Sequence, residues 1–172
     1  MIEAVILVVF PFAMVHAAVS DMLSMTIVNR VSLLLIGGFA IVAPLTGMDW
    51  DQGLTHIAAF ALLLTVCFGL FAIGAMGGGD AKLMASTALW FGLNFSLMKY
   101  LLVASALGGV LTLCILKYRR TPVAIYAGQV EFLRRIADPK EKIPYGIALG
   151  TAGLLVFPES WLAEWVIQRL VA

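Results

Sequence analysis

An apolar run without a charged residue lies near the start of the chain: Ala4-Val-Ile-Leu-Val-Val-Phe-Pro-Phe-Ala-Met-Val-His-Ala-Ala-Val-Ser20. An α-helix needs roughly 20 such residues to cross a bilayer. The whole 172-residue chain has this character, since 62% of its residues are hydrophobic, 12% are charged and the mean hydropathy is +1.03. Soluble domains carry about 45–50% apolar and about 25% charged residues. The sequence therefore predicts a single membrane-embedded domain over residues 1–172.

Further apolar segments follow, separated by short links. We predict an all-α, polytopic membrane protein with about six transmembrane helices. The tail from Trp161 to Val171 mixes charged residues with aromatic and aliphatic ones, which is typical of an interfacial helix. No basic residue precedes Asp21, so the first segment is expected to be a retained span and not a signal peptide. The predicted spans are Ala4–Ser20, Val31–Leu45, Leu54–Ile73, Leu83–Leu93, Leu97–Leu116 and Ile143–Phe157.

Positive charge is uneven between the two sides that alternating crossings define. Nine of the eleven Lys and Arg residues fall on one side, and only Lys99 and Arg169 fall on the other. The positive-inside rule makes the basic side cytoplasmic. Residues 117–142 are predicted to form a cytoplasmic basic connector, whose simplest interpretation is a solvated segment on anionic headgroups. An amphipathic helix is expected within it, because apolar residues recur every three or four positions at Val123, Tyr126, Val130 and Leu133.

Composition and motifs argue against several classes of function. A net charge of +1 gives no support for a nucleic-acid partner. Cys67 and Cys114 are far apart and form no CxxC motif, and no HExxH, GxSxG or Walker sequence occurs. His16 and His56 have no partner at metal-ligand spacing and are interpreted as packing or interface residues. We therefore expect no metal and no cofactor.

Two acidic residues are predicted to lie at the same membrane border. Asp21 ends the first span, and Asp80 lies at the cytoplasmic end of the third span, just before the fourth. Two neighbouring carboxyl groups cannot both ionise cheaply, so one keeps a proton while the charged one can activate water against a peptide carbonyl. Helix polarity favours a charged Asp80 at a helix start, so we expect Asp21 to hold the shared proton. The alternative is that each acid is only a helix cap or a loop residue among headgroups.

Three consecutive glycines, Gly77, Gly78 and Gly79, precede Asp80. Such a run allows positive φ angles and the close approach of another backbone, such as an extended peptide substrate. It is also consistent with a flexible turn or a tight helix crossing. Lys82 is two positions from Asp80, so on a helix it points away from that acid, and its simplest role is to reach the headgroups.

Three short motifs follow one another along the chain. The first is Asp21 with the element Ile27-Val28-Asn29, the second is Gly77-Gly78-Gly79-Asp80-Ala81-Lys82-Leu83, and the third is Ile143-Pro144-Tyr145-Gly146. In this order they resemble the motifs of type IV prepilin peptidases, which are integral-membrane aspartic proteases of the GxGD type. The resemblance covers essentially the whole chain. It implies that Asp21 and Asp80 are catalytic and that Asn29, Lys82, Pro144, Tyr145 and Gly146 support them.

The chain departs from the family pattern in two ways. Val28 stands where the family usually has proline, which predicts a less rigid turn. The N-terminal domain with paired CxxC motifs of larger members is missing, so the chain resembles the short branch that serves tight-adherence (Flp-type) pili, together with archaeal preflagellin peptidases. The resemblance therefore implies proteolysis without N-methyl transfer, at the inner membrane.

The resemblance also implies the substrates and partners. The substrate is a prepilin or pseudopilin precursor with a short basic leader, a glycine before the scissile bond and a hydrophobic helix after it. Membrane lipids and pilus-assembly components are the other expected partners, and the oligomeric state stays open. Two further functions remain as alternatives: a small transporter or channel that uses Asp21 and Asp80 as an ion or proton site, and a non-catalytic scaffold of a secretion machine. Acids of carriers usually lie near the bilayer midplane, whereas these are predicted at helix ends.

Overall fold

The computed structural model describes residues 1–121, 131–138 and 141–171 of the protein, and this part of the chain is helical without a strand. It contains eight α-helices, and a short 3₁₀ turn at Phe157–Glu159 separates the last two. The helices are α1 (Ile2–Ser24), α2 (Asn29–Leu45), α3 (Trp50–Ala72), α4 (Gly78–Phe91), α5 (Phe95–Arg119), α6 (Glu131–Ala137), α7 (Tyr145–Val156) and α8 (Trp161–Val171).

The helices include several that are long and apolar enough to cross a membrane, as expected of a multi-pass membrane protein. Among the described residues these are α1, α3 and α5, with a fourth if α7 and α8 form one span bent by 47°. All six apolar segments predicted from the sequence fall within or largely overlap helices, but six crossings are not confirmed. The predicted fourth segment shows why. Helix α4 has 14 residues and spans ~21 Å, whereas the hydrocarbon core is about 30 Å thick.

Helix α4 is the centre of the bundle. It packs against α2, α3 and α7, and nearly all residues of its second half are buried. Trp90 is fully buried and its indole N–H donates to the Leu35 carbonyl oxygen at 2.9 Å, so a polar atom inside the core is satisfied. Phe10 stacks on Phe157 with ring centroids 4.3 Å apart. Trp90 also contacts the rings of Phe10 and Phe157, so α1, α2 and the turn after α7 are held around α4.

A second close contact joins α1 to α7. A Cβ placed on Gly150 would lie 2.6 Å from the Met14 carbonyl oxygen, and one on Gly153 would lie 2.7 Å from Met14 Sδ. The backbone of α7 therefore lies directly on α1, as glycines allow where helices cross closely. Gly150 and Gly153 thus allow the close packing of α7 on α1.

The basic connector is described only in part. Helix α6 carries Leu133 of the expected amphipathic pattern, while Val123, Tyr126 and Val130 lie outside the described residues. The Arg119 guanidinium donates to the carbonyl oxygens of Ile136 at 2.8 Å and Glu141 at 2.9 Å. The described part of the connector is thus tied to the end of α5.

Candidate active site

Three helix ends meet at one end of the bundle. Asp21 lies in the last turn of α1, Asp80 in the first turn of α4, and Gly146 in the first turn of α7. Asp21 and Asp80 line one cavity of about 220 Å³, which we call the acidic cavity. Two carboxyl groups that lie far apart in the sequence therefore face the same space. The other residues of the acidic cavity are Met25, Thr26, Ile27, Gly77, Gly78, Gly79, Lys142 and Ile143.

Asp21 is buried and held by the backbone of α7. Its side chain accepts a hydrogen bond from the Gly146 N–H at an N···O distance of 2.6 Å. That N–H belongs to the first turn of α7, where backbone N–H groups have no partner inside the helix. A hydrogen bond from an N–H group at a helix start favours the charged form of a carboxyl group. The contact therefore fixes the position of Asp21 and offsets part of the cost of burying its charge.

Asp80 is half-buried, and among the described residues no hydrogen bond to its carboxyl group is found. It precedes the apolar stretch that begins at Leu83. Burial and, to a lesser degree, the negative charge of Asp21 raise the pKa of Asp80 to about 7, while the positive charge of Lys142 acts in the opposite direction. Near neutral pH a proton is therefore readily available on this carboxyl group.

The two environments reverse the assignment made from helix polarity. That argument gave the shared proton to Asp21, because a helix C-terminus disfavours a carboxylate. It omitted the start of α7, whose Gly146 N–H is bonded to Asp21, and the burial of Asp80 without a hydrogen-bond donor. Of the two acids, only Asp21 accepts a hydrogen bond from the described residues, and such a bond outweighs the weaker effect of the helix ends, so the structure favours Asp80 over Asp21 as the proton carrier.

None of the three glycines of the run has a positive φ angle, although the run would allow one. Gly77 is the residue before α4, with φ −72°, while Gly78 and Gly79 begin the helix. The positive φ of this link lies at Gly74, with φ 76°. The expected close approach does occur, but within the chain itself: a Cβ on Gly79 would lie 3.2 Å from Ile27 Cβ, and one on Gly78 would lie 3.2 Å from the Phe71 ring.

Ile27 connects the three sequence motifs. It is buried between Gly79 of the second motif and Gly146 of the third. A Cβ on Gly146 would lie 2.9 Å from Ile27 Cδ1 and 2.7 Å from Asp21 Cβ, distances that real side chains essentially never show. The two glycines therefore leave the space in which Ile27 and the Asp21 side chain fit.

The supporting residues are arranged around this centre. Lys82 points away from Asp80, and its ammonium group donates to Asn29 Oδ1 at 3.0 Å. This partner was not predicted from the sequence, which placed Lys82 among the headgroups. Pro144 is the residue before α7. The Tyr145 hydroxyl and Thr112 Oγ1 are hydrogen-bonded at 2.9 Å, and the Tyr145 ring lies over Gly108. These contacts join α4 to α2, and α7 to α5.

Three residues of the acidic cavity were missed by the sequence argument. Met25 has a left-handed conformation, with φ 54°, and its N–H donates to the Asp21 carbonyl oxygen at 2.8 Å. No sequence signal marks a methionine for this conformation, which glycine or asparagine usually adopts. Thr26 has no signal either. Lys142 could have been found, since it directly precedes the motif that starts at Ile143.

Other candidates for chemistry lie apart from this cavity. Among residues 1–121, 131–138 and 141–171, no group of three or more His, Cys, Asp or Glu side chains is placed to hold a metal ion. His56 is buried, with its Nδ1 2.8 Å from the Leu89 carbonyl oxygen and its ring stacked on Phe39. Cys67 and Cys114 are free thiols. His56 thus has the packing role expected from the sequence.

Comparison with known proteins identifies the family. The sequence model of the type IV leader peptidase family matches residues 8–113, which is more than half of the chain and includes both Asp21 and Asp80. The chain belongs to the type IV leader peptidase family. It is accordingly a membrane protease of the aspartic type, with prepilins as its class of substrate. No curated protein and no solved structure matches the chain.

Proposed function

We propose that the protein removes the short basic leader from Flp-type prepilins at the cytoplasmic face of the inner membrane, with Asp21 and Asp80 as its catalytic pair. The observation that carries this proposal is the acidic cavity, where the two carboxyl groups from α1 and α4 face one space. Both lie in terminal helix turns and not near a helix centre, which favours a peptidase at the membrane border over an ion carrier.

The two acids have different roles in the proposed reaction. The Asp21 carboxylate, held by the Gly146 N–H, takes a proton from a water molecule, and the water oxygen attacks the scissile carbonyl carbon. Asp80 gives its proton to the carbonyl oxygen, which is consistent with a pKa of about 7. As the resulting diol collapses, Asp80 takes back the proton of one hydroxyl group, the C–N bond breaks, and the proton on Asp21 passes to the leaving amine. No covalent enzyme intermediate is needed.

The cytoplasmic location is supported by charge. Lys142 lines the acidic cavity, and Lys82 follows Asp80 by two residues in α4. Arg135 of α6 donates to the Leu23 carbonyl oxygen, two residues from Asp21. At the other end of the bundle the described cations are Lys99, which forms an ion pair with Glu159, and Arg169, which lies near Glu3. An excess of basic residues around one membrane face marks it as cytoplasmic.

The substrate class follows from family membership and from this location. A short basic leader is attracted by the carboxylate of the pair, while the basic connector repels it. We therefore expect the leader to approach from the acidic cavity and not from residues 117–142. We also expect the new N-terminus of the product to stay unmethylated. Mass spectrometry of the mature pilin tests this expectation.

The test is co-expression of an Flp-type precursor with the wild-type chain or with Asp21→Asn or Asp80→Asn. Each substitution should abolish leader removal, because an amide neither takes nor gives the proton that the reaction needs. Asp49→Asn is the matched control: Asp49 caps α3 by accepting from the Gln52 N–H, and asparagine caps equally well. Amounts of membrane-inserted protein are compared for all variants. Normal cleavage by either site variant would refute the catalytic pair.

A further inference from the structure

A second cavity adjoins the acidic cavity. It measures about 350 Å³ and lies between the end of α3 with its following turn and the start of α7. Leu70 and Ala75 line one side, and Ile143 and Tyr145 line the other. We call it the α3–α7 groove. Its volume is in the range of sites that hold small ligands or side chains, about 300–1,000 Å³.

The α3–α7 groove and the acidic cavity share an inner wall. Four residues line both, namely Gly77, Asp80, Lys142 and Ile143. A chain that passes from one space to the other therefore crosses the carboxyl group of Asp80. The groove is thus continuous with the site of the proposed reaction.

The two spaces differ in polarity at their outer ends. The acidic cavity is bordered by the link after α1, where Ser24 and Thr26 hydroxyl groups lie 2.9 Å apart. The α3–α7 groove opens beside the apolar end of α3, where Leu70 is 40% exposed and Ala75 and Met76 also line the space. A segment that spans both spaces would have a polar part on the α1 side and an apolar part on the α3 side.

We propose that the α3–α7 groove binds the apolar side chains that follow the scissile bond, with Leu70 and Tyr145 as its specificity-determining walls. This inference rests on the proposed function, because a precursor with a polar leader and an apolar mature segment has the required polarity. Asp80 at the inner end favours a peptide over a lipid tail, because a peptide brings polar backbone groups to the carboxyl group and a lipid tail brings only hydrocarbon.

Tyr145 is a rigid wall. Its hydroxyl is bonded to Thr112, and a Cβ on Gly108 would lie 2.9 Å from its ring, so the ring is held against α5. Leu70 lies on the opposite side and is the adjustable one, because its exposed side chain can be replaced without disturbing the core. The width between these two residues therefore determines which side chains enter.

The first experiment measures cleavage of a purified precursor in detergent micelles. Leu70→Trp narrows the groove and should raise KM about tenfold, because even one methylene in an apolar pocket changes discrimination about 10- to 200-fold. A precursor with alanine at the first apolar position after the scissile bond should recover most of this loss. Ile73→Trp is the matched control, since Ile73 is exposed on the same helix end but does not line the groove, and its KM should stay within about twofold of wild type.

The second experiment uses photo-crosslinking in the Asp80→Asn background, which keeps the precursor uncut. Benzoylphenylalanine in place of Leu70 should capture the mature segment of the precursor, and the same group in place of Ile73 should not. Three results would overturn the groove assignment: equal capture at both positions, capture of lipid alone at Leu70, or an unchanged KM for Leu70→Trp. The proposed function would still stand in each case, provided that the wild-type chain cuts the precursor. Failure of the wild-type chain to cut the precursor would instead overturn the proposed function, and this inference with it.

Discussion

Gly146→Ala tests whether the backbone of α7 positions Asp21. A Cβ at this position would lie 2.7 Å from Asp21 Cβ and 2.8 Å from its Oδ2, whereas carbon atoms in contact are about 3.5–4.0 Å apart. Asp21 must therefore retreat by ~1 Å, which also breaks the alignment of the 2.6 Å hydrogen bond from the Gly146 N–H. A catalytic group misplaced by ~1 Å can cost about 100-fold in rate. That corresponds to about 2.7 kcal/mol of activation free energy.

The assay is the cleavage rate of a purified precursor in micelles over a range of concentrations. We expect kcat to fall about 100-fold while KM changes less than about threefold, because the change affects a reacting group more than the binding surface. Gly37→Ala is the control, since Gly37 lies in α2, where an added Cβ would meet no atom within 4 Å, and alanine favours a helix.

The double variant Gly146→Ala, Ile27→Val separates displacement of Asp21 from simple crowding. Valine lacks the Cδ1 atom that would lie 2.9 Å from the new Cβ, but the contacts with Asp21 remain. We therefore expect no recovery of kcat. Full recovery in the double variant, or more than half of wild-type activity in Gly146→Ala alone, would refute the positioning role.

Three further predictions follow from the charges and backbone of the site. First, kcat should fall as pH rises through about 7, because Asp80 must be protonated to act as an acid in the proposed reaction. The charge of Lys142 lowers the pKa of Asp80, whereas that of Asp21 raises it. Lys142→Gln should therefore move the fall in kcat to higher pH, and Lys117→Gln should not move it. Secondly, Asp80→Asn should raise the melting temperature more at pH 8 than at pH 5. The pKa of Asp80 is about 7 in the folded protein and about 3.9 in the unfolded chain, so its carboxyl group lowers the folding stability increasingly as pH rises between these two values. An equal change in melting temperature at both pH values would contradict the raised pKa of Asp80. Thirdly, Val28→Pro should keep activity and add about 0.4–1 kcal/mol to the free energy of thermal unfolding, because Val28 already has the φ angle of proline, −69°. A loss of activity would show that a matching φ angle at Val28 is not sufficient for the turn.

The position of the two acids could be predicted from the sequence. Uncharged runs before Asp21 and after Lys82 fix where helices lie, and alternation along the chain brings both acids to one end of the bundle. The helices α1 and α4 have these residues in their last and first turns. This part of the prediction depends only on hydropathy and helix length, which are local properties of the sequence.

The chemistry within the site could not be predicted in the same way. Which acid keeps a proton depends on the Gly146 N–H, 125 positions from Asp21, and on how deeply Asp80 is buried. The partner of Lys82 is likewise distant, at Asn29. Helix polarity is the argument by which the sequence distinguishes the two acids, and it is weaker than one direct hydrogen bond to a carboxylate.

The role of Val28 shows how a departure from a motif can leave the structure intact. Proline fixes φ near −65° and has no N–H to donate. Val28 adopts φ −69° as the residue before α2 without that restriction, because Ile27 on one side is fixed between Gly79 and Gly146. Packing of the neighbouring residue thus supplies the geometry that the proline ring would supply, and the expected loss of rigidity concerns the unfolded chain more than the folded turn.

The geometry of the site is set along the whole length of α7 and not only at its first turn. Gly150 and Gly153 lie directly on Met14 of α1, so α7 has one position along α1 at which its backbone fits. Gly146 is one helical turn before Gly150, and this position therefore determines where its N–H meets Asp21. Gly150 and Gly153 within the bundle and Gly146 at the acidic cavity therefore all determine the position of α7. A shift of α7 that relieves a contact at Met14 must also move the Gly146 N–H that donates to Asp21.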